Sequence, residues 1–190
     1  MNELRVGFAM CGSFCTFSQV IPQIERLKTE GYDIFPIMSE MAYSTDTRFG
    51  NAKEINEKIE QITGNKIIHT IKDAEPIGPK ALLDVLIIEP CTGNTLAKLA
   101  NGITDSSVTM AAKAHLRNSR PVLIAISTND GLSTAAKNIG VLQNSKNIWF
   151  VPYRQDDPIK KPTSLVADFD KTLLAMKLCL ENKQLQPTVF

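Results

Sequence analysis

Two short segments of the chain combine glycine with hydroxyl and amide side chains directly after an apolar run. Met10-Cys11-Gly12-Ser13-Phe14-Cys15 ends the first run, and Glu89-Pro90-Cys91-Thr92-Gly93-Asn94-Thr95 ends a later one. Glycine lets a ligand approach the backbone closely, and a hydroxyl residue at a helix start leaves amide donors for an anion. The first turn alone fits simple helix capping equally well. Together, the two turns predict a site for a phosphate-bearing ligand.

A third polar turn, Ser127 to Ser133, follows another apolar run. If the runs are parallel strands, their carboxyl ends meet at one edge of a sheet, and Thr128, Asn129 and Ser133 join the first two turns there. The alternative is an ordinary strand-to-helix loop. Neither GxGxxG nor GxxxxGK[ST] is present, which argues against a self-contained NAD site or a P-loop.

The elements that must position these turns are predicted by apolar runs bounded by turn residues, which are typical of strands buried on both faces. The runs are Leu4 to Met10, Asp33 to Met38, Val85 to Glu89, Val122 to Ser127 and Asn147 to Val151. Helical spacing lies between them, as in Ile21, Ile24 and Leu27. With 43% apolar residues, the alternation predicts an α/β fold: a single three-layer, doubly wound, Rossmann-like domain spanning 1–190, with a mostly parallel sheet.

The remaining segments give weaker patterns. The predictions are a charged helix at Asn51 to Ile62, an extra strand at Lys66 to Thr70, surface loops at Glu40 to Gly50 and Pro152 to Pro162, and a C-terminal helix and tail over 163–190, with the helix at Ser164 to Leu180.

Composition bears on partners and compartment. Lys and Arg total 21 against 20 Asp and Glu, so we expect no nucleic-acid or membrane partner. The first residues lack the pattern of a signal peptide, and no apolar run reaches membrane-spanning length, so we expect a cytoplasmic protein with reduced cysteines. Cys11 and Cys15 are spaced CxxxC, but no second Cys/His cluster accompanies them, so we predict no metal site.

The sequence predicts structural roles for the other titratable residues considered. His69 is predicted to be a hydrogen-bonded core or edge residue, and His115 to lie on a solvated helix surface. Lys113, Arg117 and Arg120 fit a solvated face, with binding of an acidic substrate as the alternative.

The run PCTGNTLAKLANGITD resembles the PxSANTxxKxAxGxxD signature of the FMN-binding flavoprotein family, which includes Cys decarboxylases and flavin prenyltransferase. Gly12-Ser13, Ser39 and Asn129 also match positions of that family. The resemblance implies FMN as cofactor and a homo-oligomer. The residues it assigns to cofactor binding are Gly12, Ser13, Phe14, Ser39, Thr92, Asn94, Thr95, Thr128 and Asn129.

The chain also departs from the family pattern. The decarboxylases carry a catalytic histidine fourteen positions before Pro90, where this chain has Pro76. Proline cannot exchange a proton, and the Met and Trp of the family's PxMNxxMW segment are absent. We therefore assign no catalytic residue from the sequence.

The combination of CGSFC, PCTGNTLAKLANGITDSSVTMAAKAHLRN and ISTNDGLSTAAKNIG resembles one branch of the family in particular. Its members act with a second, Rossmann-type A subunit to oxidise a small dihydropyridine dicarboxylate to its aromatic form. The resemblance places NADP on that partner, which agrees with the missing GxGxxG. The alternatives are a stand-alone FMN-dependent decarboxylase or prenyltransferase, and a non-catalytic binding protein within the complex.

Overall fold

Seven strands form the sheet of this computed structural model, which describes residues 4–190. The strands are β1 Arg5–Met10, β2 Asp33–Met38, β3 Val85–Cys91, β4 Val122–Thr128, β5 Ile148–Phe150, β6 Tyr153–Asp157 and β7 Lys161–Ala167. Their order is β2-β1-β3-β4-β7-β6, with β5 also paired to β4. Strands β1 to β5 pair in parallel, whereas β7 pairs antiparallel with both β4 and β6. The predicted α/β fold with a mostly parallel sheet is confirmed.

Eight α-helices surround the sheet in the part of the chain that the structure describes. They are α1 Phe17–Thr29, α2 Glu40–Ser44, α3 Ala52–Thr63, α4 Ile71–Ala74, α5 Gly93–Ala100, α6 Ser107–Leu116, α7 Ala136–Gln143 and α8 Thr172–Leu180. One group joins α1 with α3 and α8, and another joins α6 with α4 and α5. Both groups contact β3, all of whose residues are buried. This complete burial explains the continuous apolar run in the sequence.

Local sequence sets the helix ends. Asn51 accepts hydrogen bonds from two backbone amides at the start of α3, and Gly64 ends that helix in a left-handed conformation with φ 76°. Ser106 and Thr109 form a reciprocal capping box at the start of α6. The helices therefore begin where side-chain oxygens satisfy free amides.

Two predictions between β2 and β3 need correction. The strand expected at Lys66 to Thr70 is reduced to a single bridge between Ile37 and Ile68. The loop expected at Glu40 to Gly50 begins with α2, because the Ser39 hydroxyl caps that helix.

The largest correction concerns the C-terminal part. Pro152 to Pro162 is not a surface loop, and the helix predicted at Ser164 to Leu180 begins only at Thr172, because β6 and β7 form a hairpin before it. The edge of β4 beyond β5 offers backbone groups at Ser127 and Thr128 to which β7 pairs. Such pairing depends on a distant strand, so local helical spacing could not reveal it.

None of the helices in the described part of the chain is both long and apolar enough to cross a membrane.

Candidate functional site

A cavity of about 550 Å³ opens at the carboxyl edge of the sheet. This volume lies within the range of roughly 300–1,000 Å³ that is usual for small-molecule sites. The residues around it are Gly12, Ser13, Phe14, Cys15, Phe49, Thr92, Gly93, Asn94, Ser127, Thr128, Asn129, Asp130, Asp156, Lys161 and Ser164. The three polar turns predicted from the sequence thus meet at one edge.

The first turn is joined to the end of β4. The hydroxyl groups of Ser13 and Ser127 are 2.8 Å apart and share a hydrogen bond, although β1 and β4 lie on opposite sides of β3. Gly12 supplies backbone to the cavity surface, and Phe14 supplies an aromatic wall. This end of the cavity combines hydroxyl donors with an apolar surface.

The second turn starts later than predicted, because β3 continues through Pro90 to Cys91. Thr92 caps α5, and its hydroxyl oxygen accepts the amide proton of Thr95. Asn94 is exposed at the cavity, whereas Thr95 is buried and its hydroxyl lies 3.2 Å from the sulfur of Cys11. The Thr95 side chain therefore faces the interior.

The third turn brings a carboxyl group to the start of α5. The Thr128 hydroxyl donates to Asp130 Oδ1, and a methyl group added at Gly93 would lie 2.5 Å from that oxygen and 2.7 Å from Thr128 Oγ1. Gly93 therefore leaves the space that the Thr128–Asp130 pair occupies.

The β6–β7 hairpin forms the remaining wall. Thr163 Oγ1 donates to the carbonyl of Asn129 at 2.7 Å, and Ser164 Oγ donates to that of Thr128 at 3.2 Å. Lys161 Nζ lies 2.6 Å from Asp156 Oδ2 and is the one basic side chain of the described residues at this cavity. The Asp156 carboxylate raises the pKa of Lys161, which keeps this amine charged.

The cavity contains seven of the nine residues assigned from the family resemblance. Ser39 and Thr95 do not line it, since the Ser39 hydroxyl caps α2 and Thr95 points inward. Sequence reasoning missed the hairpin residues, for want of a predicted β7, and it missed Asp130. The position of Asp130 directly after Asn129 in the third turn could have indicated that it lines the cavity.

Two buried cysteines lie beneath the turns. Burial raises the pKa of the Cys91 thiol, whereas hydrogen bonds, chiefly from Cys91, lower that of Cys11. Both are free thiols, and Cys15 is exposed at the cavity. Within residues 4–190, no group of three or more His, Cys, Asp or Glu is arranged to hold a metal ion.

Neither histidine lines the cavity. The prediction of a surface position for His115 was wrong: the ring is buried, its Nε2 lies 3.0 Å from the carbonyl oxygen of Pro121, and burial lowers its pKa to about 4. His69 stacks on Tyr43 with ring centroids 3.7 Å apart. Pro76 lies in a 3-10 turn away from the cavity.

The three basic residues of the predicted solvated face separate in the structure. Lys113 and Arg117 are exposed, but Arg120 is half-buried and pairs with Asp84 at 3.2 Å while also donating to the carbonyl of Leu83. The interpretation as a solvated face is therefore wrong for Arg120. Arg120 links the start of β4 to the segment before β3 through these two contacts.

A buried carboxyl group lies in β3, two residues before the end of that strand. Glu89 is fully buried in β3, and its Oε2 accepts a hydrogen bond of 2.6 Å from the Thr172 hydroxyl, while Oε1 has no partner in the described part of the chain. Burial raises the pKa of Glu89 to about 8, although the Thr172 hydrogen bond opposes this shift. The carboxyl group is therefore mainly protonated at neutral pH.

Comparison with known proteins identifies several relatives of this chain. It is 49% identical over 183 residues to the B subunit of dipicolinate synthase from Bacillus subtilis, covering 96% of this chain and 92% of that protein. The crystal structure of the corresponding dipicolinate synthase chain from Bacillus halodurans superposes with a TM-score of 0.91 at 44% identity, covering 100% of this chain and 98% of the other.

A more distant structure shows the same fold. Burkholderia xenovorans DmrB, crystallised in complex with FMN, gives a TM-score of 0.69 at 16% identity, covering 95% of this chain and 97% of the other. The family described as Flavoprotein matches residues 1–178. This chain belongs to the Flavoprotein family.

Proposed function

We propose that the cavity binds FMN and that the chain serves as the B subunit of a dipicolinate synthase. In this role it acts with a Rossmann-type A subunit, which holds NADP, to oxidise dihydrodipicolinate to dipicolinate during sporulation. The observation that carries the proposal is the meeting of three polar turns at one cavity in a chain of this family. The 49% identity to a dipicolinate synthase chain supports the choice of reaction.

The groups at the cavity suit FMN. The Ser13 hydroxyl and the backbone at Gly12 are donors of the kind that hold a phosphate, and the start of α5, which Thr92 caps, adds a favourable dipole. Phe14 offers an apolar surface for a ring system, and Asn129 offers an amide for its polar edge. When bound, FMN would supply a two-electron carrier between the substrate and the NADP⁺ of the partner.

Direct titration tests the cofactor. Purified chain should quench the fluorescence of FMN with a dissociation constant in the micromolar range or below. Asn94→Ala should weaken binding because it removes an amide at the cavity, whereas Asn101→Ala, beyond the end of α5, should not. Absence of binding at micromolar FMN contradicts the cofactor assignment.

Co-expression tests the reaction. The chain together with a dipicolinate synthase A subunit and NADP should form dipicolinate, and omission of either chain should abolish it. Light scattering on the same preparation measures whether this chain forms a homo-oligomer, as we propose. Turnover by this chain without a partner contradicts the two-subunit assignment.

A further inference from the structure

Two carboxylates line the cavity, and only one of them is neutralised by a cation. Asp156 pairs with Lys161 at 2.6 Å. Asp130 has no basic side chain within ion-pair distance among residues 4–190, and its carboxylate accepts the Thr128 hydroxyl proton. Asp130 is therefore a carboxyl group at the cavity surface that forms no ion pair with any described residue.

The fold leaves room for this carboxylate at a defined point. Gly93, the first residue of α5, has no side chain where Asp130 Oδ1 lies, and any Cβ there would come within 2.5 Å of that oxygen. The Thr128 hydroxyl donates a hydrogen bond to the same oxygen and holds the carboxyl group in this position. The arrangement places a possible proton acceptor at the cavity surface.

The reaction proposed above needs such an acceptor. Oxidation of a dihydropyridine ring to a pyridine removes a hydride and a proton, and the nicotinamide of the partner accepts only the hydride. Neither His69 nor His115 reaches the cavity, and Pro76 stands where relatives carry a catalytic histidine. Among the described residues at the cavity, Asp130 is the remaining carboxyl group without an ion pair, and the free Cys15 thiol is the other candidate base.

We propose that Asp130 is the proton acceptor in the oxidation of the dihydropyridine dicarboxylate, an assignment that rests on the proposed function. One ring C–H bond breaks with transfer of hydrogen and both electrons to NADP⁺, which becomes NADPH. A second C–H bond breaks with its electron pair remaining in the ring, which becomes aromatic. Its proton forms an O–H bond on Asp130 and then passes to water, so the carboxylate is regenerated. Lys161, which is already paired with Asp156, offers a substrate carboxylate only part of its charge.

Proton uptake on product binding tests this assignment without turnover. If Asp130 accepts the substrate proton, binding of the dianionic product dipicolinate beside it should be accompanied by a net number of protons taken up by the full chain. Titration calorimetry in two buffers of different ionisation enthalpy measures this number. Asp130→Asn should bind dipicolinate with almost no proton uptake. Asp156→Asn removes the same charge from the same cavity and should retain the uptake.

Activity of the two-subunit complex provides the second measurement. Asp130→Asn should lower kcat by roughly a hundredfold to ten-thousandfold, the usual loss for a general base, with a much smaller change in KM. The acidic limb of the wild-type pH profile of kcat should also disappear. Circular dichroism and thermal unfolding confirm that the variant is folded.

The possible results separate this assignment from the proposed function. If Asp130→Asn takes up the same number of protons as the wild type, or keeps its kcat, the assignment is wrong while the proposed function stands. If the wild-type complex forms no dipicolinate, the proposed function fails, and the assignment fails with it. Loss of both uptake and kcat in Asp130→Asn alone supports it.

Discussion

Glu89 and Asp130 are acidic residues near the carboxyl ends of neighbouring strands, yet they lie in opposite environments. Glu89 is inside β3, is fully buried and accepts a hydrogen bond from Thr172. Asp130 lies beyond the end of β4, lines the cavity and accepts a hydrogen bond from Thr128. Each carboxyl group thus has one hydroxyl donor, and what differs is access to solvent.

Solvent access determines the charge and therefore the role. No basic residue contributes to the raised pKa of Glu89, because burial dominates it. Glu89 therefore keeps its proton and links β3 to the start of α8 as a neutral group. Asp130 at the edge of the sheet is open to the cavity, so a ligand bound there can reach its carboxyl group.

The largest expected effect is the pH dependence of stability that the buried Glu89 causes. The folded chain holds the Glu89 proton up to about pH 8, whereas the unfolded chain releases it near 4.5. This contribution to stability is fully present below about pH 4.5 and is lost as the pH rises to about 8. At about 1.4 kcal/mol per pKa unit, the loss amounts to several kcal/mol. The Glu89→Gln variant has no carboxyl group to ionise at this position. As the pH rises from about 4.5 to about 8, its free energy of unfolding should therefore increase relative to that of the wild type by that amount.

Urea unfolding at a series of pH values measures this difference. Glu60→Gln is the matched control, since Lys66 lowers the pKa of Glu60 and its contribution disappears at acidic pH instead. Parallel stability curves for Glu89→Gln and the wild type from pH 5 to 9 would show that Glu89 is ionised in the folded protein.

The sequence revealed the parallel part of the sheet because that information is local. The apolar runs around Val85 and Val122 are bounded by polar turns, and their alternation with helices fixes the edge at which those turns meet. Gly12, Asn94 and Asn129 were therefore brought to one cavity correctly.

The hairpin and the buried charges depend on non-local contacts. Leu165 fits the helical spacing that leads to Phe169, but pairing with Thr128 makes it part of β7. His115 lies on a helix that reads as polar, and its burial follows from how α6 packs. The sequence therefore predicted the turns that supply backbone donors better than it predicted the charged residues of the cavity, which are Asp130, Asp156 and Lys161.

A moderate effect is expected from crowding the edge carboxylate without altering any charge. In Gly93→Ala the new methyl group displaces the Asp130 and Thr128 side chains from the start of α5. FMN affinity should fall about tenfold to a hundredfold, comparable to loss of one or two hydrogen bonds. Fluorescence titration measures it, with Gly140→Ala as control because no atom lies within 4 Å of its added Cβ.

Stability distinguishes local crowding from misfolding in that experiment. Alanine favours a helix over glycine by up to about 1 kcal/mol, so Gly140→Ala in α7 should unfold at slightly higher temperature. Gly93→Ala should remain folded because flexible side-chain ends, not backbone, meet its methyl group. Unchanged FMN affinity in Gly93→Ala would mean that the Thr128–Asp130 pair lies outside the bound ligand's reach.

The smallest expected effect concerns Lys161, in the β6–β7 hairpin that borders the cavity. Lys161 is exposed and already paired with Asp156, so a bound anion gains only part of its charge, and solvent screens the rest. Lys161→Ala should weaken dipicolinate binding by no more than about fivefold at physiological salt. Lys160→Ala, next to it but outside the cavity lining, should leave binding unchanged. Calorimetry at two salt concentrations measures both, and the Lys161 effect should shrink as salt rises. A larger, salt-independent loss would place Lys161 in a desolvated contact with the ligand, and the hairpin would then close over the site rather than border it.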